Sequence, residues 1–575
     1  MVSGAGIALL LIFLCIFAIS QPFEYDSELP RPTLATTGLL LLATCVAFWG
    51  LTAALRNIQS RQLLMLIIAF AISLRLVALF TCPILEIDYY RYLWDGKALA
   101  HGVSPYKYSP AQVIGDHTQK EFAFFDENEL KEVDTDSDYE KLVAISVESE
   151  SNNTILNRIH FSEYSTIYPP VSQAFFGLAM KWVPATISVD AHIVIIKAVL
   201  VVFDLLTLVL VLLMLRRLES HVGWSILYAW NPLVIKEIAN GGHLDSIATF
   251  FLMLSIYFLF KWTCLPHEKK TAKWPVASGV ALGLGFGAKL FPVVLVPALV
   301  ITIARVRWST ALLFGAVFVA VAGLSIYPMY YSVNQDEHGG QTSDVVMSET
   351  RNWSDSSLPD KKEGLTSFLS HWRMNDVIFS GIYLNLKHSE SDADGPWYVW
   401  TSSEFRKELT QFCETRSLGG ENPAFRLTRF LTLGLFGLFY AWQLIAIYRK
   451  PLCQKPPEAE EQNSIGQGTP TDPIQFERLV WVLAVFLFLQ PTVNPWYWVW
   501  IAPLTVFSRN RGWLLVAGLL LTYYSRFWFD TFSTFTFAGY SGVGVFDHGI
   551  AFIQFAAILV VIGLFRFIEK AVDQN

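Results

Sequence analysis

The chain has 575 residues, of which 53% are hydrophobic, 15% aromatic and only 16% charged, with a mean hydropathy of +0.40. A soluble domain carries about 25% charge, so an ordinary cytosolic enzyme, a disordered chain and a fibre are excluded. The net charge of −7 has the wrong sign for neutralising a phosphate backbone, so no nucleic acid is expected as a partner.

Apolar runs able to cross a bilayer, about 17–25 residues each, lie at 5–20, 35–54, 62–81, 193–214, 246–262, 309–328, 427–447, 512–528 and 549–566. Shorter, interrupted runs occupy 222–238, 275–288, 290–304, 478–490 and 496–507. They come in pairs joined by polar or Pro-containing hinges, which a bilayer tolerates only where protein or a water-filled cavity surrounds the break. The expectation is an all-α polytopic membrane protein of about 12–14 transmembrane helices, with two long outer loops carrying short interfacial helices. The first run has no basic residues ahead of it and is read as a retained helix rather than a cleaved signal. The units expected in chain order begin with three N-terminal helices at 1–81 and a first outer loop with interfacial helices at 82–190. A central bundle of broken helices at 191–328, a second outer loop at 329–425 and a helix at 426–448 come next. A linker at 449–477, Pro- and Glu-rich, and a C-terminal bundle at 478–575 complete the chain.

Lys and Arg set the orientation. With the N-terminus cytoplasmic, the inner turns hold Arg56 and Arg61, Arg216 and Arg217, Lys269, Lys270 and Lys273, Arg305 and Arg307, Arg449 and Lys450, Arg509 and Arg511, and Arg566 with Lys570. Nearly every short inner turn is then basic, as the positive-inside rule requires. The long loops fall outside and are acidic: Glu121, Asp126, Glu127, Glu129, Glu132, Asp134, Asp136 and Asp138 in the first, Asp336, Glu337, Asp355, Asp360, Asp392 and Asp394 in the second. Both termini are cytoplasmic on this reading, in a multi-pass protein of a bacterial inner or plasma membrane. Residues 171–183 are too short to cross and are expected as an interfacial helix on the outer surface. Six cysteines lie scattered without metal-type spacing, and no bridge is expected between Cys82 and Cys413, the two in outer loops. Asn152-Asn-Thr and Asn352-Trp-Ser are glycosylation acceptors only in a host with that machinery.

Five polar clusters fall on the outer side. Asp88 and Asp95, seven residues apart around Arg91 and Trp94, would share one helix face, and a carboxylate among aromatic rings suits a general base. Tyr168-Pro169-Pro170, with Gln173 beyond, is a helix start. Asn240-Gly-Gly-His243-Leu-Asp245 puts ionisable groups on a Gly-rich turn that opens a helix, an arrangement that suits an anion. Lys289 ends a Gly-rich run, where burial calls for an anionic partner, and a phosphate is expected. No strand precedes those glycines, so they are not a dinucleotide fingerprint. Asn494-Pro495-Trp496-Tyr497 occupies another hinge, where an aromatic belt explains Trp and Tyr but not Asn-Pro. Arg526 is a second outward cation placed to face a phosphate.

Taken in order, Asp88-Tyr-Tyr-Arg-Tyr-Leu-Trp-Asp-Gly with His101-Gly-Val-Ser-Pro-Tyr, Tyr168-Pro-Pro-Val-Ser-Gln, Asn240-Gly-Gly-His-Leu-Asp, Gly287-Ala-Lys-Leu-Phe-Pro and Asn494-Pro-Trp-Tyr-Trp resemble landmarks of the GT-C superfamily of integral-membrane glycosyltransferases. The likeness is to bacterial mannosyltransferases that use polyprenyl-phosphate sugars, and it spans roughly residues 85–530. It implies an inverting transfer of a hexose, mannose for preference, from a polyprenyl-phosphate donor to a lipid or glycan acceptor at the outer face, with membrane lipids around. It makes Asp88 the catalytic base, with Lys289, His243, Asn240 and Arg526 on the donor phosphate. Asp95, Arg91, Tyr168, Gln173, Asp245, Asn494, Trp496 and Tyr497 would support or bind substrate. No cofactor and no metal ligand set is read, and a divalent ion stays open. Loop 329–425, with Trp353, Trp372 and Trp397, has no counterpart in the resemblance, and the leading carboxylate is a single Asp beside Glu86. The alternative is a secondary transporter or flippase for a lipid-linked or anionic substrate, which broken helices and a mid-membrane Lys would also fit.

Overall fold

The computed structural model describes residues 1–114, 137–337, 372–388, 395–416, 422–449, 474–508, 510–532, 536–537 and 539–573. The acids from Glu121 to Asp136, Asn352 with Trp353, the acids Asp355, Asp360, Asp392 and Asp394, Arg509 and most of the 449–477 linker lie outside these residues. Within them the chain is an all-α polytopic membrane protein whose only strands are the two-residue pair Thr536–Phe537 and Tyr540–Ser541.

Seven helical stretches are long and apolar enough to span: Thr33–Leu55, Arg61–Phe80, Val189–Arg217, Asp245–Thr263, Trp308–Tyr331, Pro423–Arg449 and Gly542–Ile568. Val2–Ala18 and Phe291–Ala304 are apolar but shorter. Helices suit the bilayer because they satisfy their own backbone groups. Their ends follow local chemistry. Ser60 accepts from the Leu63 N–H at 3.1 Å to start α3 (Arg61–Phe80), and Ser188 accepts from Ala191 at 3.2 Å to start α8 (Val189–Arg217). Helix α8 ends on Arg216 and Arg217, cations placed against its C-terminal dipole.

The interrupted runs differ from simple crossings. Residues 222–240 fold as a string of short turns and helices inside the protein, with 226–240 fully buried. Asn231 supports the Pro232 break, accepting from Leu233 N–H and donating to the Leu227 carbonyl, both at 3.1 Å. The string ends in a π-turn, Ile235–Asn240. Buried polar bonds anchor it: Arg75 on α3 pairs with Asp204 on α8 and donates to the Ala229 carbonyl at 2.8 Å, while Tyr228 donates to Asp204 at 2.5 Å.

The first long loop contributes helices to the described residues on both sides of 115–136. Helix α4 (Asp88–Ala100) lies against α7 (Pro170–Met180), the short helix expected near 171–183. Gly96 permits the approach, since a Cβ there would stand 2.7 Å from the Phe176 carbonyl oxygen. Tyr92 stacks on Phe176 at 4.7 Å, and Ser172 donates to the Ala288 carbonyl at 2.8 Å, which ties α7 to α10 (Lys273–Ala288). Leu178 and Trp182 face outward. Asn152 is buried and donates to the Ile145 carbonyl at 2.8 Å, so the folded chain does not present it as a glycosylation acceptor. In the second loop, Met374 pairs its backbone with Pro491 and Val493 at 2.9 and 2.8 Å, stitching residues 372–376 to the 490–494 hinge. The thiols of Cys82 and Cys413 are free.

Candidate active site

All five polar clusters reach one cavity of ≈ 1180 Å³. Its wall takes residues from the stretch before and within α4, from 160–169, from 243–244, from 289–294, from 372–374 and from the 490–500 hinge. Apolar side chains make most of that wall, and Asp88, Arg91, Tyr168, His243, Lys289, Asn494, Trp496 and Tyr497 all stand on it.

Asp88 opens α4, where the free N–H groups of the first turn favour a negative side chain. It is half-buried. Burial holds its carboxyl above the ordinary aspartate range and Glu86 adds to that rise, while His243, Lys289 and the Tyr168 hydroxyl oppose it. A carboxylate so placed is a competent base.

Lys289 lies just past the end of α10 in extended conformation, because Pro292 and the turn Phe291–Leu295 end the helix there. Its ammonium has an anionic partner within the protein, Asp245, at 2.6 Å, and it rides over the ring of Tyr497 at 4.8 Å. Asp245 also accepts from the Trp500 indole N–H, and its second oxygen is buried without a partner. The anion expected for Lys289 is thus supplied by the chain, and a phosphate would have to share the lysine with Asp245.

Several predicted residues stand behind the wall rather than on it. Asp95 is buried, pairs with Arg91 at 2.8 Å and accepts from Gln173 at 2.8 Å. It fixes Arg91, whose second amino group is buried without a bond. Asn240 is off the cavity wall and holds residues 81–84, donating to the Thr81 and Cys82 carbonyls and accepting from Ile84 N–H at 3.3, 2.9 and 3.0 Å. Arg526 is likewise off the cavity, paired with Asp547 at 3.0 Å.

The sequence reading missed a buried cluster behind His243. Glu86 and Glu237 face each other across Lys236, which is 3.3 and 3.2 Å from them. The Tyr524 hydroxyl stands 2.8 Å from both carboxylates, with one proton to donate to either, and the Lys236 ammonium sits 3.6 Å from the Tyr524 ring centre. His243 Nε2 is 3.4 Å from each glutamate. Burial alone would raise Glu86, but Lys236 and His243 outweigh it and hold the carboxyl below the usual range. Lys236-Glu237 was visible as two charges inside an apolar run, a pattern that marks function or pairing. Glu86, Glu237 and His243 stand close enough together to share an ion, and Lys236 contacts both carboxylates.

Residues 166–389 match the family model described as Glycosyltransferase family 87. The matched region is less than half of the chain, includes Tyr168, His243 and Lys289, and begins after Asp88. No curated protein and no solved structure matches the chain. Together with the membrane-spanning helices, the family match supports an integral-membrane glycosyltransferase.

Proposed function

We propose that the protein transfers a hexose, mannose for preference, from a polyprenyl-phosphate donor to a lipid or glycan acceptor at the outer face of the membrane. The observation that carries this reading is Asp88, a half-buried carboxylate on the wall of a largely apolar cavity that also presents His243, Lys289 and Arg91. The donor's sugar and phosphate would lie among these groups, with the isoprenoid along the apolar wall. Asp88 takes the proton of the acceptor hydroxyl as its oxygen bonds to the anomeric carbon. The bond from that carbon to the phosphate oxygen breaks in the same displacement, with inversion, and the lipid phosphate leaves with the electron pair. The cations stabilise the charge that grows on the phosphate, and this kind of electrostatic assistance is a large part of most enzymatic rate enhancements. One displacement needs one base.

The test is transfer of a radiolabelled hexose from a polyprenyl-phosphate donor in membranes, comparing wild type with Asp88→Asn. The expected result is label in a lipid or glycan product with wild type and a loss of about 10²–10⁴-fold in the folded variant, the range typical of a removed general base. Equal transfer by both proteins removes Asp88 from the role. No transfer with any donor favours the transporter reading.

A further inference from the structure

His243 is 1% exposed, and its ring lies flat on Trp496 with centres 4.4 Å apart. Its Nε2 points between two carboxylates, 3.4 Å from each, but aligns with neither as a hydrogen bond and has no other partner among the described residues. When both buried carboxylates are ionised they carry two negative charges, and Lys236 balances one of them. Leaving the other unbalanced in an apolar interior would be costly. Among the described residues within 4 Å of these carboxylates, the other basic side chain is His243.

From this geometry we infer that Glu237 and Glu86 are positioning residues that hold His243 as a fixed imidazolium, presenting its other N–H to the phosphate of the lipid donor. The inference rests on the glycosyltransferase reading and deepens it. The backbone fixes the ring in this orientation. Glu237 lies in the π-turn, its carbonyl accepts from the His243 N–H at 3.1 Å, and Gly242 between them takes φ +71°. That conformation is costly for a residue with a Cβ, and a Cβ at 242 would also stand 3.1 Å from Lys197. With Nε2 turned to the carboxylates, Nδ1–H is the donor left for a ligand in the cavity, which His243 lines. The Trp496 face completes a cation–π contact. The other charged or titratable groups around the ring are Asp88 from α4, Lys236 from the π-turn, Tyr524 from the 521–525 turn and Lys289 across the cavity.

The probe is farnesyl methyl phosphate, a short isoprenoid phosphodiester without sugar whose single negative charge does not change between pH 5.5 and 8.5, titrated by intrinsic fluorescence against the full-length protein in detergent over that range. Wild type is expected to bind with little dependence on pH over this range. Glu237→Gln should bind about tenfold more weakly at pH 8, as loss of one charge-assisted contact implies, and should recover as the pH falls and the imidazole protonates unaided. Glu237→Asp should restore most of the loss. In a His243→Gln background, adding Glu237→Gln should change nothing further. Equal losses from Glu237→Gln in both backgrounds, or a loss that low pH does not recover, would mean a merely structural role and overturn the inference. Wild-type binding that is unchanged in Glu237→Gln also overturns it while leaving the donor reading intact. No binding by wild type at any pH overturns both.

Discussion

Asp88 works as a base only when deprotonated, and its surroundings decide the pH at which that happens. Burial raises its carboxyl above the ordinary value of about 3.9, whereas His243 and Lys289 pull it down. The rate kcat/KM should therefore fall as the pH drops through that raised value, with an acid limb above that of an ordinary aspartate. His243→Gln removes an opposing cation, so the limb should move to higher pH as the rate falls. A limb that stays in place when His243 is removed would separate the two groups. Asp95 gives the contrast. Asp95→Asn strips the partner from a buried arginine and should cost about 3–5 kcal/mol of stability, read as a lower melting temperature, without creating a new acid limb. At this scale the residues facing the cavity were legible, because Asp88, His243, Lys289 and Trp496 carry their chemistry in short motifs. Their pairings were not. Lys289 finds Asp245 44 residues away, and Glu86 finds Tyr524 438 residues away. Such partners are chosen by packing, which local sequence does not encode.

Helices place these residues through a few close contacts. The α4–α7 contact sets where Asp88, Arg91 and Tyr168 stand relative to one another, and Gly96 is the point of closest approach. A Cβ at Gly96 meets backbone at 2.7 Å, whereas one at Gly177 meets the flexible Leu99 side chain at 2.9 Å. Gly96→Ala should therefore destabilise by about 1–3 kcal/mol, the usual cost of overpacking, and Gly177→Ala by less. A thermal-shift assay ranks the two, and a larger effect at Gly177 would show that α4 and α7 are not pressed together as described. The long helices were legible from apolar runs. The interrupted ones were legible as breaks but not as conformations. Residues 222–240 carry a hydrophobic run like that of a crossing helix, yet Pro232 and the buried bonds of Asn231, Tyr228 and Lys236 turn them into a string of short segments. Hydropathy reports how apolar a stretch is, and it is blind to whether lipid or protein surrounds it.

For the whole molecule, motifs spread from Asp88 to Trp500 converge on one cavity, which makes them a single candidate site. We propose its sidedness from the charge pattern. The basic turns fall at one end of the helices, among them Arg216 and Arg217 at the end of α8 and Lys269 beyond the helix Asp245–Thr263. Asp88 and the start of α4 follow α3 at its other end, and acidic residues gather in the loop that α4 opens. Single cysteines in a cysteine-free background test this directly. Lys141→Cys lies on a half-exposed outer helix, with a side-chain exposure of 49%, and Lys269→Cys lies on an exposed turn at the opposite end. A membrane-impermeant maleimide applied to intact cells should label the first fully and the second only after the membrane is opened. The reverse pattern would invert the topology and place Asp88 on the cytoplasmic side, where the donor would have to be a sugar displayed on the inner leaflet. Labelling of both in intact cells would mean that the helices between them do not form a closed crossing, and the positive-inside assignment would fail with it.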